Sequence, residues 1–150
     1  MASFSYTRFR RWYDLAKEDL RVAELLLREG LYHISAFHSH QAVEKALKGL
    51  VHGLGENPLK THVLLDLVEQ LDILGVKIPE DLVEYCRDLE PHYFTSRYPD
   101  LGPHPTKYYN RRLAEELLGK ARRILDFVER IAKEKIGERG EGGKRVQGSH

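Results

Sequence analysis

The chain has 150 residues, in which 24 lysines and arginines balance 23 aspartates and glutamates and leave a net charge of +1. A chain of this length is expected to form one domain whose core needs neither disulfides nor metal. The balanced charge excludes a protein that coats nucleic acid by bulk attraction. The single cysteine, Cys86, excludes an intramolecular disulfide and a multi-cysteine zinc site.

The hydropathy of the chain predicts neither a membrane protein nor a secreted one. No apolar run reaches the roughly 20 residues of a membrane span, and the first residues lack the apolar core of a signal peptide. We therefore expect a cytoplasmic protein that makes no membrane contact. Asparagine, glutamine, cysteine and methionine are all scarce, which favours a thermophilic source.

The spacing of apolar residues is helical along almost the whole chain. Steps of three and four predict helices over residues 8–29, 32–53, 62–74, 79–90 and 107–136, and no segment alternates as a strand does. The fold class is therefore all-α, an up-and-down bundle of about five helices. We expect the domain to cover residues 1–136 and a flexible, glycine-rich, charged tail to follow over residues 137–150.

A proline-rich loop precedes the last predicted helix and carries the first candidate site. Residues 91–106 contain four prolines and Gly102, which predicts an irregular segment. Within it, six residues separate Arg97 from His104. A guanidinium binds phosphate and a histidine moves protons near neutral pH, so this pair could cleave RNA without metal. The alternative is a structural role, with Arg97 paired to a carboxylate and His104 on the surface.

The second predicted helix presents a polar ridge formed by Gln41, Glu44, Lys45 and Lys48. Lys45 and Lys48 are candidate ligand-binding groups that could line a groove for a phosphate. The alternative is a solvated ridge in which Glu44 pairs with Lys48 four residues later. Asp19 interrupts the apolar stripe of the first helix, and we expect it to be a structural anchor that binds a cation or backbone group of a neighbouring helix.

The sequence predicts no metal site and no cofactor. His40 and Glu44 lie four residues apart on one helix, but no second pair supplies the three or four ligands that a zinc site requires. Neither a P-loop nor a dinucleotide-binding glycine motif is present. Cys86 lies inside a predicted helix, which favours buried packing over a nucleophilic role.

Three sequence blocks, in this order, resemble the HEPN family of small all-helical domains found mainly in archaea and bacteria. The blocks are HQAVEKALK at residues 40–48, LKTH at residues 59–62 and SRYPD at residues 96–100, and the resemblance covers about residues 10–135. It implies a bundle built on two long antiparallel helices, usually assembled as a homodimer. It also implies metal-independent RNA cleavage in many members, through an arginine followed after four to six residues by a histidine.

The resemblance assigns roles to the loop residues. Arg97 and His104 match the spacing of the family motif and are the catalytic candidates, and two such motifs often meet at the dimer interface. Tyr98, which could stack on a base, and Asp100 complete the ligand-binding candidates. Several members are toxins whose partner is a minimal nucleotidyltransferase serving as antitoxin, and others are described only as nucleotide-binding or helical partner modules.

Our leading hypothesis is a ribonuclease toxin of a toxin–antitoxin module. The alternative is a non-catalytic module that binds a nucleotide or docks a nucleotidyltransferase. Tyr98 favours this alternative, because active members usually carry a polar residue directly after the arginine. A structural dimer without ligand is a third possibility.

The charges are unevenly distributed along the chain. Residues 107–150 hold twelve basic and seven acidic residues, whereas residues 54–106 hold four basic and ten acidic residues. We therefore expect RNA to contact the last helix and Arg97.

Overall fold

The computed structural model describes residues 3–100 and 102–149, and it describes side chains up to residue 137. Over these residues the chain forms helices and no strand, which confirms the all-α prediction. The helices are α1 (Tyr6–Arg28), α2 (Tyr32–Gly53), α3 (Leu64–Ile73), α4 (Glu80–Leu89), α5 (His92–Thr95), α6 (Pro105–Tyr108) and α7 (Arg111–Ser149). No helix among the described residues is long and apolar enough to cross a membrane.

Helices α1 and α2 form a long hairpin. The hydroxyl of Ser5 accepts a hydrogen bond from the Arg8 backbone amide and begins α1. After α1 ends, Gly30 adopts a φ of 78°, a left-handed conformation that glycine reaches without strain, and the chain reverses into α2. The predicted ranges of these two helices agree with the structure to within two residues at each end.

Helix α2 is the centre of the bundle and packs against every other helix. Fourteen of its 22 residues are buried. Small residues on α2 let α1 approach closely, since a Cβ at Gly49 would lie 3.1 Å from both the Phe9 carbonyl oxygen and the Trp12 Cβ. A hydroxyl donates across the same interface, from Ser35 to the Ala23 carbonyl oxygen at 2.7 Å. The surface of the bundle near α2 is therefore set by a rigid scaffold.

The segment from residue 91 to residue 106 is more regular than predicted. It contains the one-turn helix α5 and the first two residues of the one-turn helix α6, so the expectation of an entirely irregular loop is wrong. The prolines are compatible with these turns because Pro91 precedes α5 and Pro105 is the first residue of α6, where a missing backbone N–H costs no helical hydrogen bond. Segment 91–98 packs along α2, where His33 Nδ1 lies 3.1 Å from the Ser96 carbonyl oxygen.

Helix α7 packs against both long helices and against α4. The Asn110 side chain accepts from the Leu113 amide at 2.9 Å and begins the helix. Acidic α4 faces basic α7 through the ion pairs Lys120–Asp88, at 2.8 Å, and Arg123–Asp81, at 4.0 Å. The two charged segments therefore compensate each other inside the fold. Helix α7 continues to Ser149, so the predicted end of the last helix at residue 136 is wrong. The flexibility predicted for residues 137–150 stays a prediction.

Candidate functional site

Arg97 lies on a platform of aromatic rings. Its guanidinium carbon is 4.4 Å from the ring centres of both Phe37 and Tyr93 and 5.0 Å from that of Tyr98. Its Nε donates to the Tyr93 carbonyl oxygen at 3.0 Å. Phe37 comes from α2 and the tyrosines from segment 91–98, so the crossing of that segment over α2 builds the platform. Stacked on rings and hydrogen-bonded at Nε, the guanidinium keeps its two terminal nitrogens for another group.

The charge of Arg97 has no carboxylate partner among the residues whose side chains are described. Seven other arginines in that part of the chain form ion pairs with aspartate or glutamate. The Arg97 side chain is also exposed to solvent. An exposed guanidinium with a fixed plane and free donors is suited to bind an oxyanion such as phosphate.

His104 is exposed and caps α6. Its Nδ1 accepts from the Thr106 backbone amide at 3.3 Å and lies 2.8 Å from the Thr106 hydroxyl. Because Nδ1 is the acceptor, a neutral His104 carries its proton on Nε2, the nitrogen left for a ligand. The cap orients the imidazole on a short helix after Gly102 and Pro103.

The structure does not bring Arg97 and His104 into contact within one chain. The described contacts of Arg97 are with Phe37, Tyr93 and Tyr98, and those of the His104 side chain are with Thr106. Pro99 and Pro103 restrict the chain between the two residues, and both side chains face solvent. Within one chain, a site that uses both groups therefore needs a ligand that reaches both side chains.

Two exposed aromatic rings and one exposed carboxylate lie near Arg97 in the sequence. Phe94 and Tyr98 are 50% and 42% exposed, and their ring centres are 5.9 Å apart. Asp100 is exposed, and no described side chain contacts its carboxylate. The exposed rings next to an exposed guanidinium form a surface on which a nucleobase could stack beside a bound phosphate.

The ridge on α2 is less open than the sequence suggested. Lys45 Nζ lies 2.6 Å from the Asp19 carboxylate, and His38 Nδ1 contacts the other oxygen of that carboxylate at 2.9 Å. Burial alone would raise the pKa of Asp19, but the hydrogen bonds from His38 and Lys45 outweigh it and lower that pKa. Asp19 thus ties α1 to α2, and the Lys45 ammonium already has a carboxylate partner.

Glu44 is the buried hub of a second polar cluster. One carboxylate oxygen is 3.1 Å from Lys48 Nζ and the other is 2.9 Å from His62 Nδ1. Its side chain is only 5% exposed. The Lys48 ammonium also lies 5.7 Å from the Trp12 ring centre. Lys48 is buried against these partners, so a groove contact from it stays a prediction.

Sequence reasoning missed the residues that hold Arg97. Phe37 and Tyr93 form the platform, and the His62 ring stacks on Tyr93 with centres 3.9 Å apart and planes 15° apart. Two signals were available, since aromatic residues and histidine are concentrated in residues 92–98 and His62 belongs to the LKTH block. Neither signal indicates which residue of α2 these side chains contact.

Metal and thiol chemistry find no support in the described residues. No group of three or more histidine, cysteine, aspartate or glutamate side chains has the arrangement of a metal site in that part of the chain. Burial raises the pKa of the Cys86 thiol to about 12, so this thiol stays protonated at neutral pH.

The chain belongs to the HEPN family. The HEPN domain model matches residues 9–131, which confirms the family suggested by the three sequence blocks. Over 133 residues the chain is 33% identical to a protein of Methanocaldococcus jannaschii named "Putative toxin MJ1304", covering 81% of this chain and 86% of that protein.

Solved structures show the same fold. TT1696 from Thermus thermophilus is 41% identical, with a TM-score of 0.77 over 82% of this chain and 97% of that one. ST0689, described as an archaeal HEPN homologue, is 31% identical, with a TM-score of 0.70 over 83% of this chain and 98% of that one. A HEPN domain protein of Thermotoga maritima is 28% identical, with a TM-score of 0.68 over 82% of this chain and 98% of that one.

Proposed function

We propose that this HEPN-family chain is a metal-independent endoribonuclease and acts as the toxin of a toxin–antitoxin pair. The observation that carries the proposal is the exposed Arg97 guanidinium, fixed on aromatic rings and free of a carboxylate among the described side chains. The name of the archaeal relative supports the toxin role. The antitoxin partner in this proposal is a minimal nucleotidyltransferase, as the family resemblance implies.

The proposed reaction is attack by the RNA 2′-oxygen on the adjacent phosphorus. The bond from phosphorus to the 5′-oxygen breaks, which leaves a 2′,3′-cyclic phosphate and, once a proton arrives, a 5′-hydroxyl. Arg97 stabilises the charge that develops on the phosphate oxygens. As the acid, His104 delivers its Nε2 proton to the leaving oxygen. As the base, it removes the 2′-hydroxyl proton through Nε2 only in the other tautomer, in which Nδ1 is protonated and gives up the hydrogen bond from the Thr106 amide. No metal takes part.

The proposed site is shared between two chains. Arg97 and His104 have no described contact with each other within one chain, and both are exposed. In a homodimer, Arg97 of one protomer would face His104 of its partner across a bound phosphate. The lack of a described contact between Arg97 and His104 in one chain and the family resemblance both support this arrangement.

RNA cleavage in the presence of a chelator tests the function. The wild-type protein should cut labelled single-stranded RNA, and Arg97→Ala and His104→Ala should each lose activity by on the order of 10²-fold or more. Arg10→Ala is the matched control, because Arg10 is an exposed arginine on α1 whose described ion pair is with Asp14, four residues later on the same helix. Cleavage that survives both substitutions, or that responds equally to Arg10→Ala, would contradict the assignment.

Mixing two inactive variants tests the shared site. A mixed dimer of Arg97→Ala and His104→Ala chains keeps one site with both residues intact if each site draws on two protomers. Activity should then reappear after the two variants are unfolded and refolded together. If the residues act within one protomer, every site in the mixture lacks one of them and activity stays absent.

The second candidate is a non-catalytic module that binds a nucleotide or docks a nucleotidyltransferase. Tyr98 favours it, since its ring lies 5.0 Å from the Arg97 guanidinium, at the position where active members usually carry a polar residue. Calorimetric titration with nucleotides and with the candidate partner separates the two functions. Tight binding without any RNA turnover supports the module, and turnover that depends on Arg97 excludes it.

A further inference from the structure

Tyr93 holds Arg97 in two ways. Its carbonyl oxygen accepts from Arg97 Nε at 3.0 Å, and its ring centre lies 4.4 Å from the guanidinium carbon. The two contacts constrain different degrees of freedom, because the hydrogen bond fixes the Nε direction and the ring fixes the guanidinium plane. The position and orientation of Arg97 therefore follow those of Tyr93.

The ring of Tyr93 is in turn supported by His62. The imidazole is nearly parallel to the phenol ring, with centres 3.9 Å apart. His62 lies in the connection between α2 and α3, far in sequence from segment 91–98, and its side chain is 49% exposed. A half-exposed imidazole in a loop stays in one orientation only if another group binds it.

Glu44 supplies that group. Its carboxylate lies 2.9 Å from His62 Nδ1 and is 5% exposed, so the hydrogen bond is shielded from water on the carboxylate side. The backbone of the loop is fixed as well, since His40 Nε2 lies 3.1 Å from the His62 carbonyl oxygen. Lys48 already pairs with the second Glu44 oxygen, at 3.1 Å. The carboxylate therefore has a cationic partner without His62, and the His62 bond is an additional contact directed at the loop.

We propose that Glu44 and His62 are positioning residues, which set the plane of the Arg97 guanidinium through the Tyr93 ring. Neither residue touches the phosphate. The inference depends on the proposed function in one respect, the identity of the group that Arg97 binds. The series of contacts runs from a buried carboxylate on α2 through a loop histidine and a tyrosine to the exposed Arg97 guanidinium. A guanidinium displaced by about 1 Å loses on the order of 10²-fold in rate when it stabilises a reacting group.

Four variants separate positioning from folding. His62→Ala removes both the stacking and the Nδ1 hydrogen bond, His62→Phe keeps an aromatic ring and removes the hydrogen bond, and Glu44→Gln weakens the hydrogen bond while conserving shape. Lys60→Ala is the control, since Lys60 is an exposed residue of the same loop and has no described contact with the cluster. Because His62 is half exposed, its substitution should change the melting temperature by only a few degrees.

Two readouts are used, and one of them does not depend on activity. The Arg97 Nε–Hε signal in a ¹⁵N-correlated NMR spectrum, assigned by its loss in Arg97→Lys, reports the ring contacts directly. In His62→Ala this signal should shift and exchange faster with water, His62→Phe should restore part of the shift, and Lys60→Ala should leave it unchanged. In RNA cleavage, kcat should fall on the order of 10-fold to 10²-fold in His62→Ala, with a smaller change in KM.

The outcomes are distinguishable. An Arg97 signal that is identical in wild type, His62→Ala and Glu44→Gln overturns the inference. A shifted signal with unchanged RNA cleavage overturns it too, since positioning would then have no consequence. If the wild-type protein does not cleave RNA, the proposed function fails, and the Arg97 signal alone decides whether Glu44 and His62 position the guanidinium.

Discussion

The Arg97 guanidinium lies over the Phe37 ring, 4.4 Å from its centre, although the two residues belong to different parts of the chain. This contact joins the loop motif to the central helix. It also gives the candidate site its rigidity, because Phe37 is on α2, in which fourteen of the 22 residues are buried. Stacking on these rings depends on the planar shape of the guanidinium as well as on its charge.

Arg97→Lys should therefore be nearly as damaging as Arg97→Ala. A lysine keeps the charge but loses the planar stacking, the Nε hydrogen bond and the bidentate fork. We expect RNA cleavage to fall on the order of 10²-fold in both variants. Initial rates on one labelled RNA in chelator check this. A lysine variant with near wild-type rate would mean that charge alone suffices at this position.

Phe94→Ala should weaken the binding of single-stranded RNA. Phe94 is 50% exposed beside Tyr98, and loss of a stacked base costs about 1–3 kcal/mol. Ile73→Ala, which removes an equally apolar and more exposed side chain on α3, is the control. Fluorescence anisotropy with labelled RNA measures both affinities. Equal effects of the two substitutions would exclude a specific stacking surface at Phe94.

Acid should destabilise the fold through His92. Burial lowers the pKa of His92 to about 4, below its ordinary value of 6.5, so the unfolded chain binds more protons between those values. The contribution of His92 to the free energy of unfolding is fully present above about pH 6.5 and is lost as the pH falls toward 4. The loss from this one group amounts to about 3 kcal/mol. Urea unfolding at pH 7.5 and 4.5 should show a smaller loss in His92→Gln than in wild type. The same loss in both proteins would exclude His92 as a source of acid sensitivity.

Gly49→Ala and Gly119→Ala should change the stability in opposite directions. Both glycines lie inside long helices, where alanine is favoured by about 1 kcal/mol. A Cβ at Gly119 meets nothing within 4 Å, whereas at Gly49 it lies 3.1 Å from the Phe9 carbonyl oxygen and the Trp12 Cβ. Overpacking costs about 1–3 kcal/mol, which outweighs the helical gain at Gly49. Thermal unfolding should show a lower Tm for Gly49→Ala and a higher one for Gly119→Ala. A higher Tm for both would contradict the close α1–α2 packing.

The helices could be predicted from the sequence because their apolar residues recur at a local period. The short helices α5 and α6 could not be predicted in this way. The prolines of residues 91–106 predict a break in helix, whereas Pro91 and Pro105 stand at helix starts. The exact ends of helices are set by capping and not by the apolar period, since α7 begins at Arg111 after the Asn110 cap and not at residue 107.

The candidate site was predictable only in part. Arg97 and His104 stand out by residue type and spacing, but the partners of Arg97 come from other segments, and periodicity carries no information on such long-range contacts. The two lysines of the α2 ridge show the same difference between local and long-range contacts. Lys48 has the partner that its spacing suggested, Glu44, whereas Lys45 pairs with Asp19 across the helix hairpin.

Analysis of the RNA product ends tests the central claim most directly. In chelator, the wild-type protein should leave a 2′,3′-cyclic phosphate and a 5′-hydroxyl on RNA, and it should leave an oligonucleotide of the same sequence with 2′-O-methyl groups uncut. These ends require attack by the 2′-oxygen, the reaction proposed for Arg97 and His104. Products with 3′-hydroxyl ends, or cleavage that appears only when a divalent metal is added, would contradict it.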